Sequence, residues 1–262
     1  MAADAPVEGF SYSTSSDVAS PITDRFYLNA IFAYARANTT LRLDPTGVPY
    51  GGTTLSGERD LGWPRDNPDG RIELMFRFRE RGRLRVDYLQ LNRSGDVTLD
   101  HTIIFGNEVF NAGNEVQSSL DVRTMSFTYT YAFLQSERFE LGGGLGVHPL
   151  WLDVIGQVPS GLQRHESSVG IAIPTLAVDG IWRISRRFAF TTRAEYLGGT
   201  VSGYSGSFAD YHGDFQYRWR KNFALGLGYS YLRISYESLT HAPFGRITLA
   251  EQGPEAFVRV AF

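Results

Sequence analysis

The chain has 262 residues, a formal net charge of -3 and no cysteine. Such a length suits one large all-β domain or two smaller domains. The charge balance argues against a basic nucleic-acid-binding face, and the lack of cysteine excludes disulfides, thiolate nucleophiles and cysteine metal sites.

The opening "MAADAPVEGF" has no apolar core of its own. Its "AADAP" reads as the remainder after cleavage at a small-residue export site. No run approaches the roughly 18 apolar residues of a membrane helix. Of the 25 Lys plus Arg, only Lys221 is lysine. Arginine suits fixed, bidentate, partly buried ion pairs better than lysine does.

Along the chain the dominant period is two, the period of strands. A first strand is expected at "RFYLNAIFAYA". "RIELMFRF" sets Ile72, Leu74, Phe76 and Phe78 against Arg71, Glu73, Met75 and Arg77. In the next strand Leu84, Val86 and Tyr88 alternate with Arg85 and Asp87, and Leu89 and Leu91 fall out of phase, which predicts a bulge near one rim. "MSFTYTYAF" and "FELGGGLGV" alternate cleanly, the second with glycine on its narrow face. Pro174 interrupts "VGIAIPTLAV" and weakens one ladder bond. "DFQYRWR" and "FALGLGYSY" alternate again. Leu232 and Ile234 then slip phase as Leu89 and Leu91 do, and Gly253 and Pro254 predict a further bulge before the final "EAFVRVAF".

The connections alternate in length. Short polar turns lie at 79–83, 134–138, 184–187 and 220–222. Segments rich in Gly, Pro, Asp and Asn lie at about 44–70, 94–116, 153–168, 198–207 and 237–245. Aromatic residues gather beside the short turns: Phe78, Phe133, Phe139, Trp182, Phe188, Trp219 and Phe223. Short turns at one end, long loops at the other, an even strand number and an aromatic girdle belong to a transmembrane antiparallel up-and-down β-barrel, with short periplasmic turns and long extracellular loops. The expected count is ten strands, with eight or twelve open. Residues 1–23 are assigned to a periplasmic N-terminal segment and 24–262 to the barrel. The fold-level rival is a soluble up-and-down barrel.

The polar strand faces then point inward. The expected lumen set is Glu73, Arg77, Arg85, Asp87, Glu140, Asp179, Arg183, Arg193, Glu195, His212, Asp214, Arg218 and Arg259, charges of both signs on neighbouring strands. They read either as a packed polar core or as the lining of a charged conduit. About ten strands leave at most a narrow pore.

Signals for chemistry are sparse. None of the five histidines stands in a metal-spacing motif. "DYHGD" places Asp210, His212 and Asp214 on one strand face, where a histidine between carboxylates can act as a base. Ser238 and His241 share a loop without a nucleophile motif. "GGGLG" lacks the helix and lysine of a phosphate loop, and its glycines relieve crowding or allow bending. Glu58, Asp60, Asp66 and Asp69 are too scattered for a calcium loop.

The stretch of about residues 53–148 holds the segments "RDLG", "DYLQLNRSG", "IIFGNEVFNAG", "YTYAFLQSERFELG" and "GLGVH". They resemble a widespread, functionally uncharacterised family of proteobacterial outer-membrane β-barrel proteins. The ending, with Val258, Val260 and Phe262 on one face, is similar to the C-terminal assembly signal of such barrels. The resemblance implies localisation in the bacterial outer membrane after signal-peptide removal. The implied partners are outer-membrane lipid, lipopolysaccharide and the barrel assembly machinery. It supplies no catalytic residue, cofactor or metal, and no enzyme is expected. The expected function is a narrow channel for small solutes or ions. The alternatives are a non-conducting barrel whose extracellular loops bind a partner and, third, an outer-membrane lipid-modifying hydrolase.

Overall fold

The computed structural model describes residues 21–159, 163–201, 204–238 and 245–262. His241 and most of the predicted N-terminal segment lie outside them.

Ten strands form one closed antiparallel barrel: β1 Phe26–Leu43, β2 Asp66–Phe78, β3 Gly82–Thr98, β4 Glu115–Gln135, β5 Phe139–Gln157, β6 Arg164–Arg183, β7 Phe188–Val201, β8 Tyr204–Arg220, β9 Phe223–Ser238 and β10 Gly245–Ala261. Each strand pairs with its chain neighbours, and β10 pairs with β1 from Tyr27 opposite Ala261 to Leu43 opposite Gly245. A two-residue strand, Leu55–Ser56, lies against β1. The last residue is held as well: Arg25 N and Phe26 N donate to Phe262 O, and Phe262 N donates to Phe26 O. The ten-strand expectation and the closure by the terminal strand both stand.

The turn end matches the prediction: β2–β3, β4–β5, β6–β7 and β8–β9 are joined by two to four residues. The loop end differs. β5 runs to Gln157 and β6 starts at Arg164; β7 runs to Val201 and β8 starts at Tyr204. Strands thus occupy much of what reads as long loop. Only 44–65 and 99–114 are long, and both are structured. The first carries Leu55–Ser56 and a short helix Gly57–Asp60; the second carries a hairpin pairing Ile103–Phe105 with Glu108–Phe110.

The strand faces explain this extension. A membrane barrel strand needs about 9–11 residues to span, and β4 has 21. Over its turn-proximal part β4 shows Phe133, Tyr131, Tyr129, Phe127 and Met125 outward, all exposed, and buries Thr130, Thr128 and Ser126. Farther along, the outward positions become Arg123, Asp121, Ser119 and Gln117, while Val122, Leu120 and Val116 are buried. β3 switches after Tyr88, and β9 switches after Tyr231. Outward aromatics mark the change: Tyr34, Tyr88, Trp151, Tyr196, Tyr211 and Tyr229 form a second girdle that period-two reading did not single out. Below it the surface is built for lipid, and above it for water, as in a soluble β-barrel.

This inversion corrects the predicted bulges. β3 pairs with β4 in unbroken register from Gly82 to Thr98, so Leu89 and Leu91 keep the inward phase of Arg85 and Asp87. Leu232, Ile234, Gly253 and Pro254 also lie in unbroken β9–β10 register. What slips is the chemistry of each face, not the backbone. The register shifts that occur are at the turn end, between Ala132 and Leu134 and between Arg218 and Arg220.

Candidate functional site

The interior has two layers. The loop-side layer is apolar. Leu41, Leu89, Leu91, Val122, Leu150, Leu152, Phe208, Leu232, Ile234 and Leu249 converge from the strands. Leu55, Leu61, Trp63, Ile103, Phe105 and Phe110 enter the same cluster from the two long loops. The loops therefore close the barrel mouth. One buried charge ties the first loop down: Arg93 donates to Glu58 and to Thr39, its guanidinium lies over the Trp63 ring, and Trp63 Nε1 donates to Ser118 at 2.9 Å. Glu58 also accepts from Thr39 N at 2.9 Å, and Asp60 accepts from Ser56 N at 2.8 Å. These acids, scattered in sequence, cap and anchor the loop.

The turn-side layer is a charge network. Glu140 takes both Arg77 nitrogens, at 3.0 and 3.1 Å, and Arg83 at 2.8 Å. Arg83 also meets Asp179, which accepts from Arg85 at 3.3 Å and from Thr130 at 2.8 Å. Glu73 pairs with Arg193 and accepts from Asn29 at 2.9 Å. Arg259 donates to Asn29 and to Gln216, both at 2.7 Å, with its guanidinium over Tyr27. Arg218 pairs with Asp24 and donates to Lys221 O at 3.0 Å.

Two histidines stand where this layer meets the apolar one. His148 lies between Ser126 on Nδ1 and Glu195 on Nε2, each at 2.8 Å, with Thr175 at 3.0 Å. His212 lies between Glu255 on Nδ1 at 2.8 Å and Asp210 on Nε2 at 3.0 Å, and Asp210 accepts from Arg71 at 2.7 Å. The first is a serine–histidine–carboxylate chain, and the second is the histidine between carboxylates that "DYHGD" predicts. Neither is open: His148 is fully buried and His212 is 4% exposed. A base works on a substrate within hydrogen-bond reach, and both rings spend their nitrogens on other side chains of the barrel interior.

Every expected lumen residue faces inward. Arg183 sits at the turn-end rim, half-buried and outside the network. The reading missed Asn29, Arg71, Arg83, His148, Glu255 and the anchoring Arg93. Strand parity was the available signal, since Arg71 and Arg83 share the face of Glu73 and Arg85. The glycines fill the relief role: a Cβ on Gly142 would lie 2.5 Å from Asp179 Oδ1, and one on Gly146 2.7 Å from Glu195 Oε2. Three interior voids among the described residues measure about 50, 20 and 10 Å³. That is room for a few waters at most.

No protein-family model and no curated protein matches the sequence. Solved structures do. The outer membrane protease OmpT of Escherichia coli aligns with a TM-score of 0.62 at 11% identity, over 96% of this chain and 100% of that one. A FadL homologue of Pseudomonas aeruginosa gives a TM-score of 0.37 at 10% identity, over 91% of each chain. Neisserial surface protein A gives 0.36 at 13% identity, over 90% of this chain and 97% of that one. At these identities the likeness concerns the fold, which is that of an outer-membrane β-barrel. The finer sequence family has no matching model behind it.

Proposed function

We propose that the chain is a non-conducting outer-membrane barrel that carries a folded, water-facing platform above the bilayer for a binding partner. The observation behind this reading is the filled interior: a charge network below, an apolar core above, and two loops sealing the mouth. Five inward arginines held by carboxylates from other strands, with Arg218 on Asp24 and Arg259 on the amides of Asn29 and Gln216, leave no continuous path for a solute. The charged conduit expected from strand parity is the reading this displaces. The short turns, the start of β1 and the end of β10 then face the periplasm, and the loops face outward. The terminal strand carrying Val258, Val260 and Phe262 serves as the segment read by the assembly machinery. The two girdles seat the barrel in lipid and lipopolysaccharide, and no small solute is needed as a partner.

An enzymatic role is disfavoured on access. OmpT is a protease, but here the described aspartate–histidine and serine–histidine groupings are covered on every side. Purified protein in a planar bilayer tests the reading. Sealed membranes at all voltages are the expected result, and discrete conductance steps in single-barrel insertions overturn it.

A further inference from the structure

The barrel wall is not paired over its whole height. β6 and β7 pair from Arg183 opposite Ala189 to Leu176 opposite Tyr196, and there the pairing stops. β6 continues to Arg164, held only by β5, and β7 continues to Val201, held only by β8. Two other seams, β1–β2 and β2–β3, stop about as early, at Arg36 opposite Asp66 and at Gly70 opposite Gln90. There, however, the loop 44–65 lies against β1 through Leu55–Ser56, Arg65 O and Glu58. At the remaining seams the pairing reaches well past the second girdle. The wall is thus closed where lipid surrounds it, as a membrane requires. It is split from the Tyr196 level upward, on the water side.

Two sheet edges face each other across this split. The β6 edge, residues 164–175, runs for twelve residues. Pro174, which carries no N–H, sits just above the last rung, as suits a strand that has become an edge. Outward from it stand the small or polar Ala172, Gly170, Ser168 and Glu166; inward stand Ile173, Ile171 and Val169, only half-buried although they pack on the apolar core. The β7 edge offers Gly198, Gly199 and Thr200, all exposed, with no atom within 4 Å of a Cβ built on Gly199.

A row of backbone donors and acceptors at strand spacing is matched by one chemistry, another extended polypeptide. We propose that this split accepts an extended segment of a partner protein as an added strand, alternating apolar residues toward Val169, Ile171 and Ile173 with polar residues toward water. The alternation follows from the half-covered inner face: an apolar side chain from the guest completes the core there, and an outward one meets solvent. The proposal rests on the partner-binding reading above and names the kind of partner.

The test is hydrogen exchange on the intact protein in lipid nanodiscs, with and without a peptide alternating valine and threonine between terminal lysines. The amides of 164–175 that point away from β5 are expected to exchange quickly alone and to slow at least about tenfold with the peptide, and a copy with proline at alternate positions is expected to do nothing. The chain has no cysteine, so the pair Ala172→Cys and Thr200→Cys, opposite if the register continued, gives a clean lock. Oxidation should abolish the protection and reduction restore it. Three results overturn the proposal: no protection at saturating peptide, slow exchange in the free monomer of those amides of 164–175 that point away from β5, or protection that grows with protein concentration alone, which makes the occupant a second copy. A silent barrel lacking peptide protection removes this inference and leaves the scaffold reading intact; a conducting barrel does the reverse.

Discussion

Asp87 and Leu89 are consecutive inward residues of β3, 4% and 2% exposed, and the interior changes from charged to apolar between them. The same change falls between Asp210 and Phe208 on β8 and between Glu251 and Leu249 on β10. One strand therefore serves two solvents. Below the step its outer face meets lipid and its inner face must satisfy charges; above it the outer face meets water and the inner face holds an ordinary hydrophobic core.

Leu91→Ala tests the upper core directly. Leu91 is 1% exposed among residues from strands and loops. Truncating a buried leucine costs about 2–5 kcal/mol, transfer and cavity together. Gln90→Ala, its outward neighbour, should stay within about 0.5 kcal/mol. Urea unfolding followed by the gel shift between folded and unfolded barrel reads both. Equal effects would mean that this half has no core of its own.

The charge layer makes a different demand. Glu195 accepts from Thr128, His148 and Thr175 and pairs with Arg85 at 3.5 Å. Glu195→Leu leaves Arg85 and His148 short of a partner in a sealed interior, and breaking a buried pair costs about 3–5 kcal/mol. Glu166→Leu breaks only the exposed pair with Arg164 and should cost less than about 1 kcal/mol. Unfolding midpoints of the two variants in one detergent compare them.

These two layers show what the sequence carries and where it stops. Parity alone assigns Glu73, Asp179 and Arg259 to the interior, because a strand's side chains alternate regardless of partner. Parity says nothing about which charges meet. Arg83 finds Asp179 and Arg218 finds Asp24 across the lumen, through a closure that only the assembled barrel creates. Leu89 and Leu232 mislead for a related reason. An apolar residue on the charged face looks like a backbone slip when the surroundings are taken as uniform, and the membrane boundary makes them non-uniform.

His165 gives the capped mouth a pH dependence. It is partly buried at the loop end, edge-on to Phe105 at 5.9 Å, and its ring fills the place where a Cβ on Gly106 would stand. Burial lowers its pKa below the usual histidine value of 6.5. The unfolded or detached ring then binds protons more readily than the packed one. The contact is fully stable above the ordinary value and loses stability as pH falls from there toward the lowered pKa. Protease cleavage within 103–110 should rise on going from pH 8 to pH 5, and His165→Phe should flatten that rise. An unchanged rise in the variant would place the titrating group elsewhere.

Phe262 separates assembly from stability. It is 67% exposed on the outer face, 6.0 Å from Phe26 between ring centroids, and its backbone completes the closing seam. Phe262→Ala keeps those backbone bonds and removes a ring that in the folded barrel faces mainly lipid. Protein refolded from urea should lose about 1 kcal/mol or less. If the terminal strand serves the assembly machinery as proposed, insertion in cells should fall much further, because the machinery would meet this side chain before the seam with β1 exists. A charged extension after Phe262 should act likewise, since it sets charge at the lower girdle during insertion. Equal losses in refolded stability and in membrane-inserted protein would show that Phe262 acts as a packing residue and not as a recognition element.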